Sequence, residues 1–159
     1  MLEQIGISAS SFADNIPLTI AMSYPNKRVQ VKGTKNTVYS KGVPPYSFLD
    51  LGGGLAIPCP ELLFIEMGAL LDLPEHLLLG QELCGSYSRN PSDPQLGTST
   101  LGIPAVTSRK RIQAYLSRTS YIRGMDQAEQ TLALLSDNAW SPSESLVATL
   151  VCLPLEYGG

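Results

Sequence analysis

The sequence predicts an α+β protein, with a small antiparallel sheet in residues 1–58 packed on four or five helices in residues 60–153. Three observations carry this. Short alternating or extended runs cut by Gly and Pro fill the first third of the chain. Apolar residues at helical spacing fill the remainder. The length of 159 residues, 43% of them hydrophobic, suits a β-rich unit (1–58) and a helical unit (59–159) sharing one core.

Ile16 to Ser23 is an extended run with Pro17 near its start, where a strand tolerates proline. Arg28 to Lys32 alternates, placing Val29 and Val31 on one strand face. Gly33 and Asn36 punctuate a turn, and Thr37 to Ser40 forms a returning strand. Ser47–Asp50 and Leu55–Ile57 flank Gly52-Gly53-Gly54 as a hairpin whose turn needs positive φ.

Pro60 to Leu71 is a helix too apolar to show much of its surface. Asp72 and Glu75 have the spacing of a capping box for a helix over Pro74–Cys84, which Gly85 ends. Tyr87 to Thr100 is rich in Ser, Pro, Asn and Gly and reads as a long exposed loop. A helix follows over Ser108–Thr119 with Ile112, Tyr115, Leu116 and Thr119 on one face. Another runs over Gly124–Leu135 with Ala128, Thr131, Leu132 and Leu135 inward. Ser141 then caps a last amphipathic helix that closes on Gly158-Gly159.

Net charge is −3, which gives no global attraction to nucleic acid, but the charges come in blocks. Tyr24–Leu49 carries five bases and no acid, and Asp50–Leu101 seven acids and one base. Gly102–Met125 is basic again, and everything from Asp126 onward is acidic. Such blocks pair inside one fold or leave a face for a partner. The candidate partner or nucleic-acid residues are Lys27, Arg28, Arg109, Lys110, Arg111 and Arg118, with Tyr115 and Tyr121 interleaved. The alternative is a solvated face with its tyrosines turned to the core.

Candidate chemistry is sparse. Glu144 is the one carboxylate with a sharp reading, yet a capping box with Ser141 explains it without catalysis. A metal-dependent nuclease needs several carboxylates and a lysine, and after Glu144 the chain offers only Glu156. His76, the single histidine, has no nucleophile at a telling spacing and reads as a surface or partly buried residue. Cys59, Cys84 and Cys152 lack zinc spacing and suggest reduced, mostly buried thiols. No cofactor and no metal are expected. No apolar run is long enough to span a bilayer, and Glu3 sits where a secretory signal would be basic, so a cytoplasmic protein is expected.

Several segments together resemble a family. They are Ile57-Pro-Cys-Pro-Glu-Leu-Leu-Phe-Ile-Glu-Met67, Leu79-Gly-Gln-Glu-Leu-Cys-Gly-Ser-Tyr87, Val106-Thr-Ser108, Arg123-Gly124 with Ala128, and Ser141-Pro-Ser-Glu-Ser145 before Gly158-Gly159. They resemble, in order and from about Ser47 on, bacterial AbiEi-type antitoxins and endonuclease-domain proteins related to very-short-patch repair nucleases. The resemblance implies that the Ser-Pro-x-Glu helix is the first helix of a PD-(D/E)XK nuclease fold, with Glu144 as its glutamate. The Asp and Glu-x-Lys strands of that fold have no counterpart before Gly159, and residues 1–46 read as too short and β-like for the family's winged helix.

The expected function is therefore non-catalytic. It is an interaction or regulatory protein of bacterial defence or toxin–antitoxin type, binding a protein partner such as a cognate toxin or effector, with nucleic acid as a further partner and no membrane. One alternative is a truncated or partner-completed endonuclease relative. A third is a phage-encoded inhibitor of a host effector, using the acidic segments Asp50–Glu82 or Asp126–Glu156.

Overall fold

Pro60 opens a helix on which three further helices pack. In the computed structural model, residues 18–22, 34–39, 41–53, 55–90 and 99–157 are described. Their order is β1 (Leu18–Met22), β2 (Thr34–Val38), β3 (Phe48–Gly52), β4 (Leu55–Pro58), α1 (Pro60–Met67) and α2 (Leu73–Leu83). Then come β5 (Tyr87–Arg89), β6 (Ser99–Leu101), α3 (Arg109–Leu116), α4 (Met125–Leu134), α5 (Pro142–Cys152) and a 3₁₀ turn over Leu155–Tyr157. The class is α+β: five helices with small strand pairs beside them.

The described strands form three two-stranded pairs. β3 and β4 make the expected hairpin, with Leu49 opposite Ile57 and an irregularity between Asp50 and Gly52. Gly52 and Gly53 supply the positive φ that its turn needs. β1 and β2 pair in parallel, Leu18 opposite Thr34, and Asn36, expected in a turn, lies inside β2. The strand expected over Arg28–Lys32 lies outside the described residues. The segment read as one long loop begins and ends in an antiparallel pair, Tyr87 opposite Leu101. Tyr87 anchors it: the ring is buried and its hydroxyl donates to Ser145 Oγ at 2.9 Å. Arg89 adds an ion pair to Glu82.

Cysteine 59 precedes α1 without a side-chain cap, while Pro60 sits in the first turn and Glu61 lies at its positive end. Leu62, Phe64 and Ile65 of α1 have no exposed surface. Around them gather Leu77 and Cys84 of the α2 region, Ile112, Tyr115 and Leu116 of α3, and Ala128 and Leu132 of α4. Complete removal of Leu- or Phe-sized side chains from water stabilises by about 1.5–3 kcal/mol each. That burial holds these short helices in place, since helices of 8 to 11 residues are marginal alone.

α2 begins with the full capping box. Glu75 N–H donates to Asp72 Oδ1 at 2.9 Å, and Asp72 N–H donates to Glu75 Oε2 at 3.3 Å. The end of α1 meets the start of α4 through two glycines. A Cβ on Gly124 (φ 97°) would lie 2.3 Å from Ile65 O, and one on Gly68 would lie 2.5 Å from Gly124 O. Only bare backbone fits this crossing. α5 packs on α2.

Candidate functional site

The basic strip is largely engaged with its own chain. Ser108 caps α3, its Oγ accepting from Arg111 N–H at 3.3 Å. Arg111 Nη2 lies 3.0 Å from Glu61 Oε1, and its Nη1 donates to Val106 O at 3.2 Å. Thr107, buried, donates its hydroxyl to the same Glu61 oxygen at 2.6 Å. Burial pushes the Glu61 carboxyl up. The Thr107 hydroxyl, neighbouring hydrogen-bond donors and the Arg111 charge outweigh it and hold the group below the usual carboxylate range.

Arg109 takes part as well. Its Nε donates to Leu132 O at 3.1 Å, and its backbone N–H donates to Asp137 Oδ1 at 2.7 Å. This ties α3 to α4 and to the turn after it. Arg118 Nε returns to Ala114 O at 3.0 Å, and Lys110 is exposed. Tyr115 faces the core, its hydroxyl 2.5 Å from Ser47 Oγ, whereas Tyr121 is exposed and donates to Asp126 Oδ2. Lys27 and Arg28 lie outside the described residues. The strip is thus a set of tethers between helices, with Lys110 and Arg118 as its more outward members.

Glu144 sits where the cap was expected, with one difference. Ser141 Oγ accepts from Glu144 N–H at 3.2 Å, but the Glu144 carboxylate accepts from the amide of Trp140, one residue before the cap, at 2.8 Å. Among the described residues no three His, Cys, Asp or Glu side chains gather closely enough to hold a metal ion.

Histidine 76 is fully buried, contrary to its expected surface or partly exposed position. Its ring stacks on Phe64 at 4.3 Å between centroids, with Nε2 2.8 Å from Phe64 O and Nδ1 2.9 Å from Thr131 Oγ1. Burial pulls its pKa below the ordinary value, against the opposing pull of the Phe64 carbonyl. Cys84 is buried, and burial followed by the nearby Asp137 charge pushes its thiol up to about 12, leaving it unreactive. Neither residue opens onto a cleft.

The residues that sequence reasoning missed are on α5. This helix is turned inside out. Ser145 is 0% and Thr149 4% exposed, while Leu146 is 50%, Val147 59%, Leu150 50% and Val151 75% exposed. Inward, Ser145 receives the Tyr87 hydroxyl and the small side chains let α5 lie against α2. Outward, Ser143, Glu144, Val147, Ala148 and Val151 line an open, almost wholly apolar groove. Leu155, just past the helix, and Trp140, just before it, are exposed too. These side chains leave an exposed apolar face among the described residues. The signal in the sequence was that Ser145, Thr149 and Cys152 also share a helical face. Amphipathic spacing identifies two faces, and packing alone decides which turns inward.

No family model, no curated protein and no solved structure matches this chain. No helix among the described residues is long and apolar enough to cross a membrane.

Proposed function

We propose that this chain is a non-catalytic interaction protein that regulates another protein by binding it, in the manner of bacterial defence and toxin–antitoxin modules. The observation that carries the reading is the outward apolar face of Leu146, Val147, Leu150 and Val151 on α5. Solvated alone, that face gains only part of its burial energy on folding; covered by a partner, each side chain contributes the rest. The motif resemblance to antitoxin-type proteins points the same way. The chain acts in the cytoplasm, with its cysteines as free thiols. Any contact with nucleic acid is secondary and falls to the basic residues that remain outward, Lys110 and Arg118.

The test is site-specific crosslinking in the native cells. A photoreactive residue at position 147 should yield one discrete protein adduct that resists nuclease treatment and vanishes with Val151→Asp. The purified adduct partner should lose activity when the chain is added. Crosslinking to nucleic acid, or a partner indifferent to the chain, overturns the proposal. So does magnesium-dependent cleavage of DNA by the purified chain.

A further inference from the structure

We infer that the α5 face receives an amphipathic helix of another protein, whose apolar stripe is bordered by lysine and arginine. The inference rests on the interaction reading above and names the chemistry of its partner. Two observations lead to it.

The first is shape. Val147 and Val151 form one ridge at i, i+4 spacing, and Leu146 and Leu150 form a second beside it. Parallel i±4 ridges with a groove between them are the surface into which a second helix sets its own ridge. The open groove itself runs along the other side of the valine ridge, where Ser143, in line with Val147 and Val151, and Ala148 beside them are small enough to permit close approach. The 11-residue helix offers about three turns, enough for an anchor series at i, i+3, i+4 and i+7.

The second is charge. From Asp126 to Tyr157 the chain carries Asp126, Glu129, Asp137, Glu144 and Glu156, all exposed, and not one lysine or arginine. Glu144 lines the groove itself, and Glu156 stands just past the helix's negative end. A second copy of this chain would bring the same acids to the same face. A nucleic acid or an anionic lipid surface would meet like charge. An apolar stripe with basic borders meets opposite charge at both ends of α5 and keeps its apolar residues in the groove.

The experiment uses the full chain and two synthetic helical peptides with an identical leucine stripe, one bordered by Lys and Arg, the other by Glu. Binding is followed by fluorescence anisotropy at low salt. The basic peptide should bind about tenfold or more tightly than the acidic one. Val147→Asp with Val151→Asp should abolish binding, and Glu144→Lys with Glu156→Lys should cancel or invert the preference. These sites are exposed, and circular dichroism melts check that each variant folds.

Equal affinities would overturn the charge assignment while leaving α5 a docking helix. Absence of binding by both peptides would overturn the helix assignment, and basic-peptide binding that survives the aspartates would place the attraction elsewhere. Self-association removed by Val151→Asp would make a second copy the occupant. None of these results alters the crosslinking outcome that decides the broader reading.

Discussion

The Thr131 hydroxyl has one proton and two acceptors within reach, His76 Nδ1 and Gln127 O. Thr131 Oγ1 lies 2.9 Å from His76 Nδ1 and 2.8 Å from Gln127 O. With the ring neutral and Nε2–H donating to Phe64 O, Nδ1 takes the hydroxyl proton. A proton on Nδ1 would reverse that bond and turn the hydroxyl to Gln127 O. The geometry serves both states, and burial selects the neutral one.

A pH dependence follows. The folded pKa lies below the ordinary histidine value of about 6.5, so the unfolded chain takes up the proton first. The His76 contribution is complete above that value. It is lost as pH falls from there to the depressed folded value. Urea unfolding at pH 7.5 should give a higher midpoint than at about pH 5.5, and His76→Gln should flatten the difference. An unchanged slope in the variant would assign the effect to other groups.

The Glu61 cluster separates a buried contact from an exposed one. Thr107 is sealed, whereas the Arg111 side chain is 60% exposed. Thr107→Val should cost about 1–3 kcal/mol, because the buried carboxylate loses its closest donor. Arg111→Ala should cost under about 1 kcal/mol, less in high salt. Lys110→Glu should leave the melting temperature unmoved, while Arg111→Glu lowers it by setting a second carboxylate near Glu61. Equal effects of the two reversals would show that Arg111 is not a tether.

The glycine crossing admits no side chain. Gly124→Ala should destabilise by more than about 1 kcal/mol, through positive φ and through collision with Ile65 O. Gly42, also at positive φ but with open space around a Cβ, should tolerate alanine better. Chemical denaturation of the two variants side by side distinguishes packing from conformational strain.

At α5, Ser141→Ala should cost about 0.5–2 kcal/mol, the ordinary loss of an N-cap. Glu144→Gln keeps an oxygen for the Trp140 amide and should change thermal stability little. A large loss with Glu144→Gln, or a nuclease activity that it removes, would give the carboxylate a role beyond capping.

Local patterns were readable from the sequence wherever the physics is local. Asp72 and Glu75 form their box, Gly52 and Gly53 turn the β3–β4 hairpin, and Ser141 caps its helix. In each case neighbouring residues determine the outcome. The inward faces of α3 and α4 were legible too, because Ile112, Tyr115 and Leu116, and Ala128, Thr131 and Leu132, recur at helical spacing. What escaped depends on residues far apart in the chain. His76 is buried by Phe64 and Thr131, 12 and 55 residues away. Arg111 finds Glu61 across 50 positions that no spacing rule links. The β5–β6 pair carries few apolar residues of its own and is held by the distant Ser145. On α5 the usual rule of apolar-inward failed, and the candidate interface lay behind that failure.

The inverted helix bears on the lifetime of the chain. A molecule displaying Val151 and Leu155 to water offers the kind of surface that chaperones bind and proteolysis follows. Copies with that surface shielded would persist, and orphaned copies would be cleared. If the proposed partner covers that face, the cellular amount of this protein would track the partner's supply, with stoichiometry maintained by turnover and not by synthesis alone.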